Sequence, residues 1–206
     1  MPAFLTALQY SVLEAVCARL VPADGTPDGG TPDGGAPDGG APDGGAPDGT
    51  EMGAVDYIDT LLGAFTFTPP RIWAGGPFSG RFGGTASFSD FEELSPAEEL
   101  AWRTRIEGSL GIPERERLGP VTGLQEIYAR GLAELGDDFP ALDPAAQDDR
   151  LREAGDFTRL VYEHTCEGLY GAPEYGGNRG LSGWRYLDYE GDVQPRGFTD
   201  AEVSGA

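Results

Sequence analysis

Lysine is missing from this chain altogether. Each of its 14 basic residues is an arginine, set against 35 acidic residues, for a formal net charge of −21 over 206 residues and a pI near 4.1. A surface of that sign repels phosphate backbones and anionic headgroups, which argues against nucleic acid and polybasic-type membrane attachment. The same composition suits a high-salt cytoplasm and a GC-rich genome equally. Histidine occurs once, as His164, and cysteine twice, as Cys17 and Cys166, in unrelated segments. Such a set builds no zinc constellation. A Ser/His/Asp triad would need that one histidine, and no G-x-S-x-G elbow accompanies it. Without lysine there is no P-loop. No stretch of 18 apolar residues occurs, so nothing in the sequence spans a bilayer. The start, "MPAFLTALQYSVLEAV", has neither a basic n-region nor a twin-arginine pair, and the expectation is a cytoplasmic chain, exported or membrane-associated only as the passenger of a partner. Alternating apolar and polar residues long enough for a sheet are absent too. No catalytic residues, bound cofactor or metal are expected in this chain.

What is present is helical periodicity. Thr6 with Gln9 has capping-box spacing, and Leu13, Val16, Cys17 and Leu20 follow at i, i+3, i+4 and i+7 until Pro22 stops the helix. Val55, Ile58, Leu62 and Phe65 share one face of a second helix. Ser95, Pro96 and Glu98 open a third as N-cap, first residue and box partner. Leu124, Ile127, Tyr128, Leu132 and Leu135 are in phase along a fourth, and Asp143 caps a fifth with Pro144 inside it. The sixth, over 156–170, places Phe157, Leu160, Val161 and His164 on one side. His164 there reads as a core or interface residue, the alternative being the base of a free-standing small enzyme working with a nearby carboxylate. Cys17 and Cys166 read as small buried hydrophobes, with a disulfide between them left open.

The expected fold is therefore all-α: a small bundle of about six helices with long ordered loops and an extended aromatic C-terminal tail, in one domain, 1–206. A disordered loop at 25–50 interrupts it. There, five copies of a Pro-Asp-Gly-Gly-type unit offer turn formers and no large apolar residue to offset the ordering entropy. The period of five is not collagen's three, nor the nine of calcium-binding repeats. Residues 66–92 show neither helical nor strand period, and read as a long ordered loop packing through Phe67, Ile72, Trp73, Phe78 and Phe82.

Near the end stands "APEYGGNRGLSGWRYLDYEGD". Glycines with Asn178 and Arg179 suggest a phosphate cradle, but a dinucleotide fingerprint needs a strand before and a helix after. Here a helix precedes and the following residues read as non-helical. Tyr170, Tyr175, Trp184, Tyr186 and Tyr189, interleaved with Arg179, Arg185 and Arg196, are instead the residue types favoured at interface hot spots. Two roles are compatible: docking to a partner, and folding back to cap the bundle.

Three segments, "RLVPAD" at the end of the first helix, "AVDYID" in the second, and "HTCEGLYGAPEYGGNRGLSGWRYLDYEGD", resemble the gluconate 2-dehydrogenase subunit 3 family. The most specific run is P-x-Y-G-G-N…G-W, here Pro173, Tyr175, Gly176, Gly177, Asn178, Gly183 and Trp184. The resemblance covers 5–24, 53–65 and about 157–198; between them only helical character matches. It implies a noncatalytic accessory subunit. The partner it implies is a large glucose-methanol-choline-type flavoprotein holding FAD, often with a multihaem cytochrome c, the small subunit binding the large one and assisting its maturation and export. On this basis Tyr175, Gly176, Gly177, Asn178, Arg179, Trp184, Arg185 and Tyr186 are the candidate docking residues, with Arg179 and Arg185 facing partner carboxylates. The chain departs from the family in lacking a twin-arginine signal and in its Pro-Asp-Gly-Gly insertion. Either the large subunit carries the signal, the true start lies upstream, or the complex stays in the cytoplasm.

Overall fold

A computed structural model of the chain describes residues 2–22, 49–75 and 92–189. Residues 25–48 of the Pro-Asp-Gly-Gly loop, Phe78, Phe82 and Arg196 lie outside the described residues. Among the described residues there are seven α-helices and no strand, only two isolated bridges.

The helix starts obey local chemistry. Thr6 Oγ1 accepts the amide of Gln9 at 3.2 Å and Gln9 Oε1 accepts that of Thr6 at 3.0 Å, opening α1 (Ala7–Leu20). α2 is Ala54–Leu62. Ser95 and Glu98 exchange the same pair of bonds ahead of α3 (Pro96–Glu107). α4 spans Leu124–Leu135, and Asp143 Oδ1 accepts the amides of Ala145 and Ala146 to start α5 (Pro144–Ala154). α6 is Asp156–Tyr170 and α7 Ser182–Tyr186. Each of these caps satisfies donors that a helix end leaves orphaned, a gain of about 1 kcal/mol apiece.

The core forms where apolar faces meet. Leu13, Val16 and Cys17 of α1, Ile58 and Leu62 of α2, Tyr128, Leu132 and Leu135 of α4, and Val161 and Leu169 of α6 are buried together, with Phe139 wedged from the α4–α5 connection. Each fully buried large aliphatic or aromatic side chain contributes roughly 1.5–3 kcal/mol relative to exposure. α2 lies most closely on α6. Gly168 permits it, since a Cβ there would stand 2.9 Å from Tyr57 Cβ and 3.1 Å from Ala54 Cα.

Two local readings change. α2 stops at Leu62, before Phe65, with Gly63 as its C-cap, and Gly63 lies against the N-terminal segment, a Cβ at that position falling 2.7 Å from Ala3 Cβ. Phe65 sits in a 3-10 turn (Ala64–Thr66) under the guanidinium of Arg103, 4.1 Å from its ring centroid. The stretch after the glycines, read as non-helical and partly extended, instead folds through 3-10 turns at Pro173–Tyr175 and Arg179–Leu181 into α7. Five residues containing Gly183 carry no legible periodicity. α7 exists because Asn178 Oδ1 accepts the Gly183 amide at 2.9 Å and Trp184 is drawn into the protein.

Candidate docking site

Three of the eight candidate residues, Gly177, Asn178 and Trp184, meet the C-terminal end of α6, where the last carbonyls of a helix lack internal partners. The Asn178 amide donates to Gly168 O at 2.7 Å, Trp184 Nε1 to Tyr170 O at 2.8 Å, and Asn178 Nδ2 to Gly171 O at 3.0 Å. Backbone lies on backbone here. A Cβ on Gly177 would meet Gly168 O at 2.1 Å, and one on Gly183 would meet Leu169 O at 1.9 Å. Gly176 is pressed against α2, with Thr60 Oγ1 2.8 Å from where its Cβ would be. "YGGNRGLSGW" is thus a cap built on α6, and Trp184, only 6% exposed, is its anchor within the chain.

The arginines are engaged internally as well. Arg179 pairs with Asp56 of α2, which holds the guanidinium pKa above its ordinary value, and Arg185 donates to Gly180 O. Tyr186 is exposed, and Tyr175 is half-buried with its ring edge-on to Trp73 at 5.1 Å.

Beside the cap lies what the sequence reading missed, a groove of about 530 Å³ between α2, α3 and α6. Its floor is apolar, from Leu61, Ile72 and Trp73. Trp102 and Arg105 of α3 form one wall, and Cys166 and Tyr170 of α6 the other. Tyr57 crosses the groove and donates its hydroxyl to Glu167 Oε2 at 2.7 Å; burial first, then this carboxylate, raise the phenol pKa. Ile72, Trp73 and Tyr170 had been noted as packing or tail residues. Trp102 and Arg105 carried no local signal, and the spacing of Tyr162, Cys166 and Tyr170, at i, i+4 and i+8 on α6, was the clue available for the other wall.

His164 and the cysteines lie apart from this surface. His164 is 2% exposed, its Nδ1 is 2.9 Å from Tyr128 Oη, and the two rings stack 5.8 Å apart. That is the setting of a satisfied core residue, with no path for a substrate to its ring. Burial lowers its pKa. The folded state therefore refuses a proton that the unfolded chain accepts near pH 6.5. Its contribution to stability is complete above that value and is lost as pH falls below it. Because this is the sole histidine, its ring resonances report directly. They are expected to titrate with a midpoint below 6.5, and an ordinary midpoint in the folded protein would contradict the burial. Both cysteines are free. Thr165 faces Cys17, Oγ1 to Sγ at 3.4 Å, and the next residue on the helix, Cys166, turns about 100° away toward the groove. That divergence keeps the two thiols apart. Burial pushes the Cys17 thiol up to about 12, so it is inert.

Among the described residues no three His, Cys, Asp or Glu side chains gather as a metal site, and no helix is long and apolar enough to cross a membrane.

With that geometry in view, the family model described as gluconate 2-dehydrogenase subunit 3 matches residues 7–191. The chain belongs to this family. The match extends from the start of α1 to just past α7, a span that includes α3 to α5, where the sequence had offered helical character alone. It also makes the chain a subunit of a gluconate dehydrogenase type of complex, for which partners are implied. No curated protein and no solved structure matches this subunit 3 chain.

Proposed function

We propose that the chain is the noncatalytic small subunit of a FAD-dependent dehydrogenase of the glucose-methanol-choline type, acting on a sugar or a sugar acid such as gluconate. In this reading it binds the large flavoprotein subunit and assists its maturation. FAD and the chemistry belong to that partner, and a multihaem cytochrome c as third subunit takes the electrons. Any export or membrane association of the chain follows from the partner it rides with. The observation that carries the reading is the family match over 7–191. Exposed aromatic side chains around the cap, Tyr170, Tyr186 and Tyr189, support it, because Tyr brings large contact area with a polar tip to an interface.

Affinity purification of the tagged chain from its native cells tests this, with mass spectrometry and a visible spectrum of the eluate. A co-eluting large subunit with flavin absorbance is expected, with haem bands where the cytochrome is retained. A colourless, single-chain eluate would refute the accessory role.

A further inference from the structure

The groove between α2, α3 and α6 has a charge opposite to that of the protein around it. Two arginines, Arg71 and Arg105, line it against one carboxylate, Glu167, which already accepts the Tyr57 hydroxyl. The chain as a whole carries −21. Arg105 is exposed and makes no ion pair among the described residues; its guanidinium lies 5.2 Å from the centroid of the Trp102 ring. Stacking on an aromatic face occupies the flat side of a guanidinium and leaves its N–H edges to receive a carboxylate by two parallel bonds.

Among the described residues the groove is also not closed off as a small-molecule pocket would be. Its α6 wall, with half-buried Cys166 and 37% exposed Tyr170, is followed one turn back on the same helix by Tyr162, 48% exposed. A small ligand is held by burying most of its surface. An open trough with an aromatic stripe running out of it fits a peptide segment better, with one anchor side chain seated and the neighbouring residues laid along the stripe.

We infer that this groove seats a segment of the large flavoprotein subunit in which an aromatic or branched aliphatic anchor stands next to an Asp or Glu. The anchor packs between Trp73, Trp102 and Leu61, and the carboxylate pairs with Arg105. A lysine- or arginine-bearing segment meets the Arg105 guanidinium there and is disfavoured. The inference rests on the proposed function in taking the flavoprotein as the partner, and it adds the place and the chemistry of docking.

The test uses the purified complex and the isolated chain, with a maleimide as probe. Cys17 is fully buried, so Cys166 is the accessible thiol. Its alkylation, read by mass spectrometry, is expected to slow by about tenfold or more in the complex, as for a residue beneath an interface anchor. Arg105→Glu is expected to weaken retention of the flavin-bearing subunit by about tenfold or more, equivalent to 1.4 kcal/mol or above. Its helical circular dichroism is expected to stay unchanged, because no ion pair among the described residues is lost. Arg105→Lys is expected to fall between the two, as a point charge replacing a fork. Unchanged Cys166 reactivity in the complex, or wild-type affinity in Arg105→Glu, would overturn the inference while leaving the accessory role standing. A wild-type chain that retains no flavoprotein would overturn both. Protection of Cys166 in the isolated chain, with a sedimenting dimer that Arg105→Glu disperses, would give the groove to a second copy and overturn it as well.

Discussion

Gly177→Ala is expected to destabilise the protein by about 3 kcal/mol and to release the cap from α6. A methyl at this position would need to sit 2.1 Å from Gly168 O, and the obstacle is backbone of a buried helix rather than the tip of a side chain. The cap must lift by more than an ångström to relieve that contact. Lifting breaks the 2.7 Å bond from the Asn178 amide to Gly168 O, then the two side-chain bonds from Asn178 and Trp184 to Gly171 O and Tyr170 O. Overpacking of this kind costs roughly 1–3 kcal/mol, and a hydrogen bond lost at a semi-buried helix end adds about 1. Urea titration measures the total, and hydrogen exchange of the amides of 178 and 183 locates it. A midpoint equal to wild type would mean that the cap is loosely held. If the cap also positions Tyr175 against Trp73, the variant weakens flavoprotein retention in parallel with its loss of exchange protection.

Asp59→Ala is expected to cost a similar amount, about 3 kcal/mol, by unpinning the N-terminal segment. Asp59 sits on α2 and is almost fully buried, yet it forms no ion pair among the described residues. Its carboxylate instead accepts three consecutive amides, those of Ala3, Phe4 at 3.0 Å and Leu5 at 2.8 Å. These bonds hold residues 3–5 across α2 and deliver Leu5 into the core. Hydrogen bonds to a charged group are worth about 1.5–3 kcal/mol each, but water reaches the half-exposed Ala3 and Phe4 amides once the segment swings free, so the three do not sum. A loss of this size lowers the melting temperature by roughly 6–12 °C for a chain of this length. Asp59→Asn keeps one acceptor oxygen and is expected to lose about half as much. Thermal unfolding checks both, and limited proteolysis near residue 5 checks the location. Equal melting points for wild type and Asp59→Ala would show that the N-terminal segment is held by Leu5 packing alone.

The helices were legible because what defines them is local. Thr6 with Gln9, Ser95 with Glu98 and Asp143 act on residues two or three positions away, so their effect is written in adjacent letters. The apolar faces of α1, α4 and α6 were legible for a related reason: a helix repeats every 3.6 residues whatever it packs against. Where a helix end depended on a distant neighbour, local signals failed. α7 forms because the side chain of Asn178 reaches Gly183 and the indole of Trp184 reaches Tyr170 O.

The site divides along the same line. That residues 173–184 are specialised was visible in the sequence, since glycines among aromatics and arginines suit neither a free coil nor an ordinary helix. Capping the bundle was one of the two roles read from them, but the groups they cap were not visible. The three carbonyls they cap at the end of α6, the carboxylate of Asp56 waiting for Arg179, and the place of Trp184 beneath Tyr170 O are facts of tertiary packing. The groove is further still from the sequence. Trp102, Arg105, Tyr57 and Cys166 come from three helices, and only their packing places the Arg105 guanidinium over the Trp102 ring beside an apolar floor. By itself the sequence determined an acidic, lysine-free, all-helical chain, the family resemblance and one glycine-aromatic closing segment, because composition, period, motif and capping are short-range properties. Which carbonyls that segment caps and which surface is left open beside it were decided by the tertiary structure, because both depend on how close two backbones can approach.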